Sequence, residues 1–231
     1  GYSMLGTDEN GNDASDNVAV GYASLQTITD GDDNVAVGKD SLKVLTSGNH
    51  NVSIGNQSGV DLTTASYNVL AGSMSGYEVT TNEGNVFLGY QAGKNTSGNY
   101  HYNIAIGMQS LLSAHTQSGT IAIGYKSLQN LTSGAANIAI GNEAMVVHTT
   151  GDRNIAIGYG AMNDTDAGGT SLSSERNIFI GLDAGGGEWQ NVASSENVAI
   201  GHYNMDSELN GAMRNTALGY WCLSAVTSGG D

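Results

Sequence analysis

A five-residue phrase returns along this chain at a nearly constant interval. Between residues 17 and 55 it reads NVAVG, NVAVG and NVSIG, closing on Gly21, Gly38 and Gly55. Thirteen such pentads, from YSMLG (2–6) to NTALG (215–219), fill the 231 residues, and seven of the twelve intervals between closing glycines are 17 residues. A unit this short cannot enclose a core alone. Stacked copies can, because each covers the apolar surface of its neighbour. The expectation is a single array over residues 1–231 of about thirteen coils, with insertions at 163–176 and 186–196 where the interval lengthens.

The unit approximates N-[VI]-A-[VI]-G-x-x-[AS]-[LMG]-x-x-[LIV]-T-S-G-x-x. Its β-branched, alternating pentad is a short strand. After the glycine the apolar positions step by three, as in Leu25 and Ile28, Leu42 and Leu45, Leu128 and Leu131. That step suits one helical turn, or a tight corner that brings both side chains inward. The TSG or TDG that follows supplies a residue for positive φ before the next strand. The pattern therefore predicts an all-β fold: a parallel β-helix or β-roll solenoid of about 17-residue coils, with one helical or tight turn per coil. Strands of successive coils would pair in parallel about 4.8 Å apart. The Asn that opens the pentad then stacks as a ladder of Asn17, Asn34, Asn51, Asn68, Asn85, Asn103, Asn137, Asn154, Asn177, Asn197 and Asn215. Its amide can bridge coils and satisfy corner backbone groups. Tyr2 and Thr120 are the two exceptions.

The middle pentad residue is Ala or Ser in nine copies but large at Met4, Leu70, Phe87 and Phe179. Six residues after Leu70, Phe87 and Phe179 stand Gly76, Gly93 and Gly185, where coils with a small middle residue mostly carry Leu or Met. Interiors are filled to near crystal density, so volume added at one site must leave its neighbour. The two positions are expected to share one space; Ser53 with Gly59 breaks the rule and predicts a gap. Because strand side chains alternate, the Val and Ile residues flanking the middle position point the other way and are also apolar. A thin coil has one inside, so its second apolar face calls for further copies of the chain, most simply a homotrimer.

Composition excludes several classes. A formal net charge of −15, with 7 Lys plus Arg against 22 Asp plus Glu, repels phosphate backbones and argues against nucleic-acid binding. No run approaches the roughly 20 apolar residues of a membrane span, so no membrane insertion is expected. The lone Cys222 permits no internal disulfide. No nucleotide, metal-protease or serine-hydrolase motif is present, and no catalytic residue, metal site or cofactor is expected. The five histidines (His50, His101, His115, His148 and His202) are scattered. Acidic groups such as Asp30, Asp32 and Asp33, or Asp13 and Asp16, have oxygens suited to calcium but read more simply as corner charge.

The two insertions leave the array on the same edge, where repeat proteins often bind. They carry Asp164, Asp166, Glu188 and Trp189, the receptor-binding candidates. An aromatic beside carboxylates can stack on a sugar ring and accept hydrogen bonds from its hydroxyls. The alternative is that the loops simply cover the bulky rung holding Phe179.

Units such as NVFLGYQAGKNTSGNY, TIAIGYKSLQNLTSGAA and NIAIGNEAMVVHTTGDR resemble the NTAxGYxALxxNTTGxx repeats of phage-type trimeric tail-fibre proteins. Those repeats often lie upstream of an endosialidase-type intramolecular chaperone, a segment these 231 residues do not include. More distantly, the pentads are similar to strands in the heads of trimeric autotransporter adhesins. The resemblance implies a non-enzymatic fibre segment: extracellular, on a virion or phage-like tail, extending or forming a surface for a cell-surface glycan or other host receptor. Alternatives are a trimeric adhesin on a bacterial cell surface, an ice-binding solenoid using the turn residues Thr29, Thr46, Thr132 and Thr149, and a glycan-degrading spike using Asp164, Asp166 and Glu188.

Overall fold

The computed structural model describes residues 14–95, 100–113, 118–165, 173–190 and 192–228. The YSMLG pentad, with Tyr2 and Met4, lies outside them. The chain divides into two units, Gly1–His115 and Thr116–Asp231. The first holds β1 (Val18–Val20), β2 (Val35–Val37), β3 (Val52–Ile54), β4 (Val69–Ala71), β5 (Val86–Leu88) and β6 (Ile104–Ile106). The second holds β7 (Ile121–Ile123), β8 (Ile138–Ile140), β9 (Ile155–Ile157), β10 (Ile178–Ile180), β11 (Val198–Ile200) and β12 (Thr216–Leu218). Within each unit the strands pair in chain order, all parallel and without stagger. Both units are parallel β-solenoids, with no helix among the described residues.

Register follows from the repeat. The middle pentad residue sits over its equivalents, as Ala36 does between Ala19 and Ser53, and points into the core. The insertions leave this intact, since Phe179 still pairs with Ala156 and Ala199. The closing glycine permits the stack. At Gly38 φ is +136°, and a Cβ there would collide with the carbonyl oxygen of Gly55. Any other residue meets both a backbone clash and a strained φ.

The corner after this glycine is not helical. Its second and fourth residues are left-handed although few are glycines: Asp40 (φ 56°) and Leu42 (φ 47°), Lys126 (φ 55°) and Leu128 (φ 49°). Of the two expected geometries, the tight corner is the one found. The second left-handed residue, Leu42 or Leu128, and the apolar residue three beyond it, Leu45 or Leu131, are all buried, which accounts for the step of three. Each such L residue costs about 1–2 kcal/mol. Bonds to neighbouring coils hold it: Asp40 N donates to Tyr22 O at 2.8 Å, and Leu42 N to Ser58 O at 3.1 Å.

The asparagines form the expected ladder, running from Asn17 to Asn103 in the first unit and from Asn137 to Asn215 in the second. Asn51 shows the pattern. Its Oδ1 accepts from both the backbone N and the Nδ2 of Asn68 at 3.1 Å, while its own Nδ2 donates to Asn34 Oδ1 at 3.0 Å and Ala65 O at 2.8 Å. Buried amides are tolerable only when satisfied this fully, because each stranded group costs about 1–3 kcal/mol.

The shared-volume rule is visible in the core. A Cβ at Gly93 would stand 2.5 Å from Phe87 Cδ2 and Cε2, one at Gly185 2.6 Å from Phe179 Cδ1, and one at Gly76 3.0 Å from Leu70 Cδ2. The exception resolves differently from the expected gap. Leu70 Cδ1 and Leu42 Cδ2, from the coils on either side, reach to 2.7 and 3.0 Å of the Gly59 Cβ position, and Ser53 Oγ donates to Ser58 O at 2.9 Å. Neighbouring coils fill the space, so compensation runs between rungs as well as within them. Phe87→Ala should cost about 3–5 kcal/mol, and Gly93→Leu alone should unfold the coil. The double variant recreates the pairing of Ala36 with Leu42, and in urea unfolding it should recover about 2 kcal/mol or more of the summed loss. Strict additivity would show that the two positions do not share a space.

Candidate functional site

The insertion edge belongs to the second unit. Asp166 lies outside the described residues; Asp164, Glu188 and Trp189 are within them. Trp189 is 0% exposed. Its Nε1 donates to Gly185 O at 3.0 Å, and its ring lies 5.7 Å from Phe179 at 59°. Its backbone N donates to Asp164 O at 3.1 Å, tying one insertion to the other. The indole is therefore core, and the expectation that it stacks on a sugar is corrected. The physical reason is packing with a satisfied donor: the indole lies against the Phe179 ring and its N–H is taken up by Gly185 O, so burying it strands no polar group.

The carboxylates remain at the surface and are drawn together. Burial, and then the charge of Glu188, raise the Asp164 pKa above 3.8. Burial also raises Asp183, and burial followed by the Asp183 charge raises Asp206. Asp183 and Asp206 were not singled out from the sequence. The signal for them was available, since Asp183 occupies the outward second position after its pentad glycine and Asp206 the fifth.

The other sequence candidates are structural where described. Asp32 Oδ1 accepts from Ser15 N at 2.7 Å and Ser15 Oγ at 2.9 Å, and Asp33 Oδ2 lies 3.4 Å from His50 Nδ1. His101 Nδ1 accepts from Glu83 N, and His202 Nδ1 from Leu182 N. His148 is buried with its Nδ1 2.9 Å from Thr165 Oγ1, while Asp13 and His115 fall outside the described residues. The hydroxyls of Thr29, Thr46 and Thr132 donate to carbonyls of the next coil at 2.9–3.0 Å, so they brace corners instead of forming a free array. Among the described residues no group of three or more His, Cys, Asp or Glu is placed to hold a metal, and no helix is long and apolar enough to cross a membrane.

Two exposed features stand out. The outward residues flanking the strand centre are apolar in every described strand of the first unit, β1 to β6, and in those of the second all but Thr216 are. None of them is fully buried, and Val20 is 49% and Leu218 73% exposed. A one-sided solvated sheet ordinarily turns polar residues outward. The second feature is aromatic. Trp221 is 60% exposed and packs with Tyr203 and Tyr220 at centroid distances of 5.9–6.3 Å. Of the two tryptophans, the solvent-facing one is thus the one the insertions did not advertise.

Comparison with protein-family models, curated proteins and solved structures finds no match to this chain.

Asp61 tests how these surface acids act on stability. Burial, and then the charge of Glu78, raise its pKa above 3.8, so the folded state binds the proton more readily than the unfolded one. Its contribution to stability therefore grows as pH falls through the raised value and levels off below 3.8. Asp61→Asn should raise the melting temperature at neutral pH, and this gain should vanish below pH 3.8. Parallel melts of the two proteins across pH check the difference.

Proposed function

We propose that this chain is a segment of a homotrimeric fibre of a phage or phage-like tail, with no enzymatic role, working outside the cell as a stiff carrier of a host-receptor surface. The observation that carries this reading is the apolar outward sheet face of each unit. Patches of this kind on soluble proteins mark association surfaces, and the unpaired edges and faces of a thin solenoid favour closed assembly. The likeness of the repeats to trimeric fibre repeats supports three copies as the number. In-register strands and buried amide ladders suit a load-bearing element, because within each unit strand and asparagine of one coil are bonded to those of the next.

Receptor contact is assigned to the exposed groups of the second unit. Glu188 is exposed on the insertion edge with Asp164 beside it, and Trp221 presents an open indole. Exposed aromatics beside hydrogen-bonding groups suit a cell-surface glycan.

Light scattering should give three times the 23.7 kDa chain mass. Ile138→Lys, on the outward face, should lower that mass while leaving the β-sheet circular dichroism unchanged. A wild-type protein that runs at the mass of one chain overturns the trimer. On a glycan array, Glu188→Ala and Trp221→Ala should each weaken capture at least tenfold; unchanged binding by both removes them from the receptor surface.

A further inference from the structure

Two glycines interrupt files that carry a side chain in the other coils of β1 to β12. Across the coils of β1 to β12, the second residue after the pentad glycine is itself glycine at Gly160 alone, and the fifth at Gly186 alone. They lie in successive coils, those of β9 and β10. Neither is needed for a turn of its own: position two is left-handed with ordinary residues elsewhere, and Gly186 has no left-handed φ. What they provide is space.

Polar atoms border that space: oxygens at Gly186, and at Gly160 both a carboxylate oxygen and Asn163 Nδ2, 3.2 Å from a Cβ built there. A Cβ at residue 160 would collide with Asp183 Oδ1. A Cβ at residue 186 would lie 3.1 Å from Asp206 Oδ1, 3.2 Å from Asp183 O and 3.3 Å from Asn163 Oδ1. Asn163 and Asp206 hold the fifth position in the coils before and after, so their side chains converge over the missing one. These three atoms are all acceptors. Among the described residues the one donor to any of them is Gly186 N, 3.2 Å from Asp183 O, and Asn163 Oδ1 is buried without a hydrogen-bond partner. Neither Asp183 nor Asp206 forms an ion pair among the described residues.

We infer that the space left by Gly186 is a calcium site, with Asn163 Oδ1, Asp183 O, an Asp183 carboxylate oxygen and Asp206 Oδ1 as protein ligands and water completing the shell. Calcium accepts mixed carboxylate, amide and peptide oxygens in irregular geometry, whereas magnesium demands near-octahedral order and zinc prefers nitrogen and sulfur. Two carboxylates suffice, with affinity in the range of extracellular modules, Kd about 10⁻⁴–10⁻³ M. The ion would staple the coils of β9, β10 and β11, between the two insertions. The competing arrangement turns the Asn163 amide over, so that its NH2 donates to Asp206 and no ion is required.

The experiment titrates Ca²⁺ into the chelator-treated full chain at physiological salt and follows the melting temperature, with Mg²⁺ in parallel. A saturable rise with Ca²⁺, at least tenfold weaker with Mg²⁺, is expected. Asp206→Asn and Gly186→Ala should each weaken the Ca²⁺ response at least tenfold, while Asp61→Asn, in the other unit, keeps it. Asn163→Asp should strengthen it. No Ca²⁺ response, or an equal response in Asp206→Asn and Gly186→Ala, overturns the site in favour of the turned amide or of diffuse binding to an acidic chain. The site uses one chain alone, so its failure leaves the fibre reading standing.

Discussion

The structure depends on backbone meeting backbone at the pentad glycines. With φ between +126° and +145° in all described coils, each lies so close to its successor that no Cβ could be interposed along most of the array. That approach fixes the spacing of the coils, and with it everything laid on the strand. Middle residues fall on middle residues, asparagines on asparagines, and corners on corners. The amide ladder is therefore a consequence of register as much as its cause, since an Oδ1 that accepts two bonds from the next asparagine tolerates no slip of the coil. The left-handed leucines belong to the same economy: their local strain persists because bonds above and below determine the corner more strongly than φ preference does.

Much of this was legible in the sequence, for reasons that particular residues show. The strand, the ladder and the pairing of Phe87 with Gly93 recur in phase, and repetition inside one chain reveals which positions share a space. The corner was harder to read. Leu25 and Ile28 are three apart in a helical turn and in a pair of left-handed bends alike, and leucine carries no mark of a positive φ. Glycine at Gly59, Gly76, Gly93 and Gly185 in the file of Leu25 and Leu42 hinted at it, although the hint was read as volume alone.

Trp189 shows where local chemical reading loses to packing. An indole beside carboxylates suggests a sugar surface, yet Trp189 packs on the Phe179 ring with its N–H bonded to Gly185 O. The insertion supplies the second ring. Trp221, in a file that is half-buried in most other coils, keeps its indole outside at the last described strand.

The coil of β10 departs from the pattern at every level. It holds Phe179 at its centre, Gly185 and Gly186 side by side, Trp189 packed in from an insertion, and Asp183 leaning over Gly160. A stack gains from sameness, because each rung is the template for the next, so an isolated run of departures costs stability unless its parts compensate one another. The aromatic half does: two rings and two small residues fill the core. The polar half does not, for it brings carboxylates and an amide oxygen together with no ion pair to Asp183 or Asp206 among the described residues. Departures from local consistency concentrate where a protein does something besides fold, and in the second unit acceptors from the coils of β9, β10 and β11 gather around Gly186.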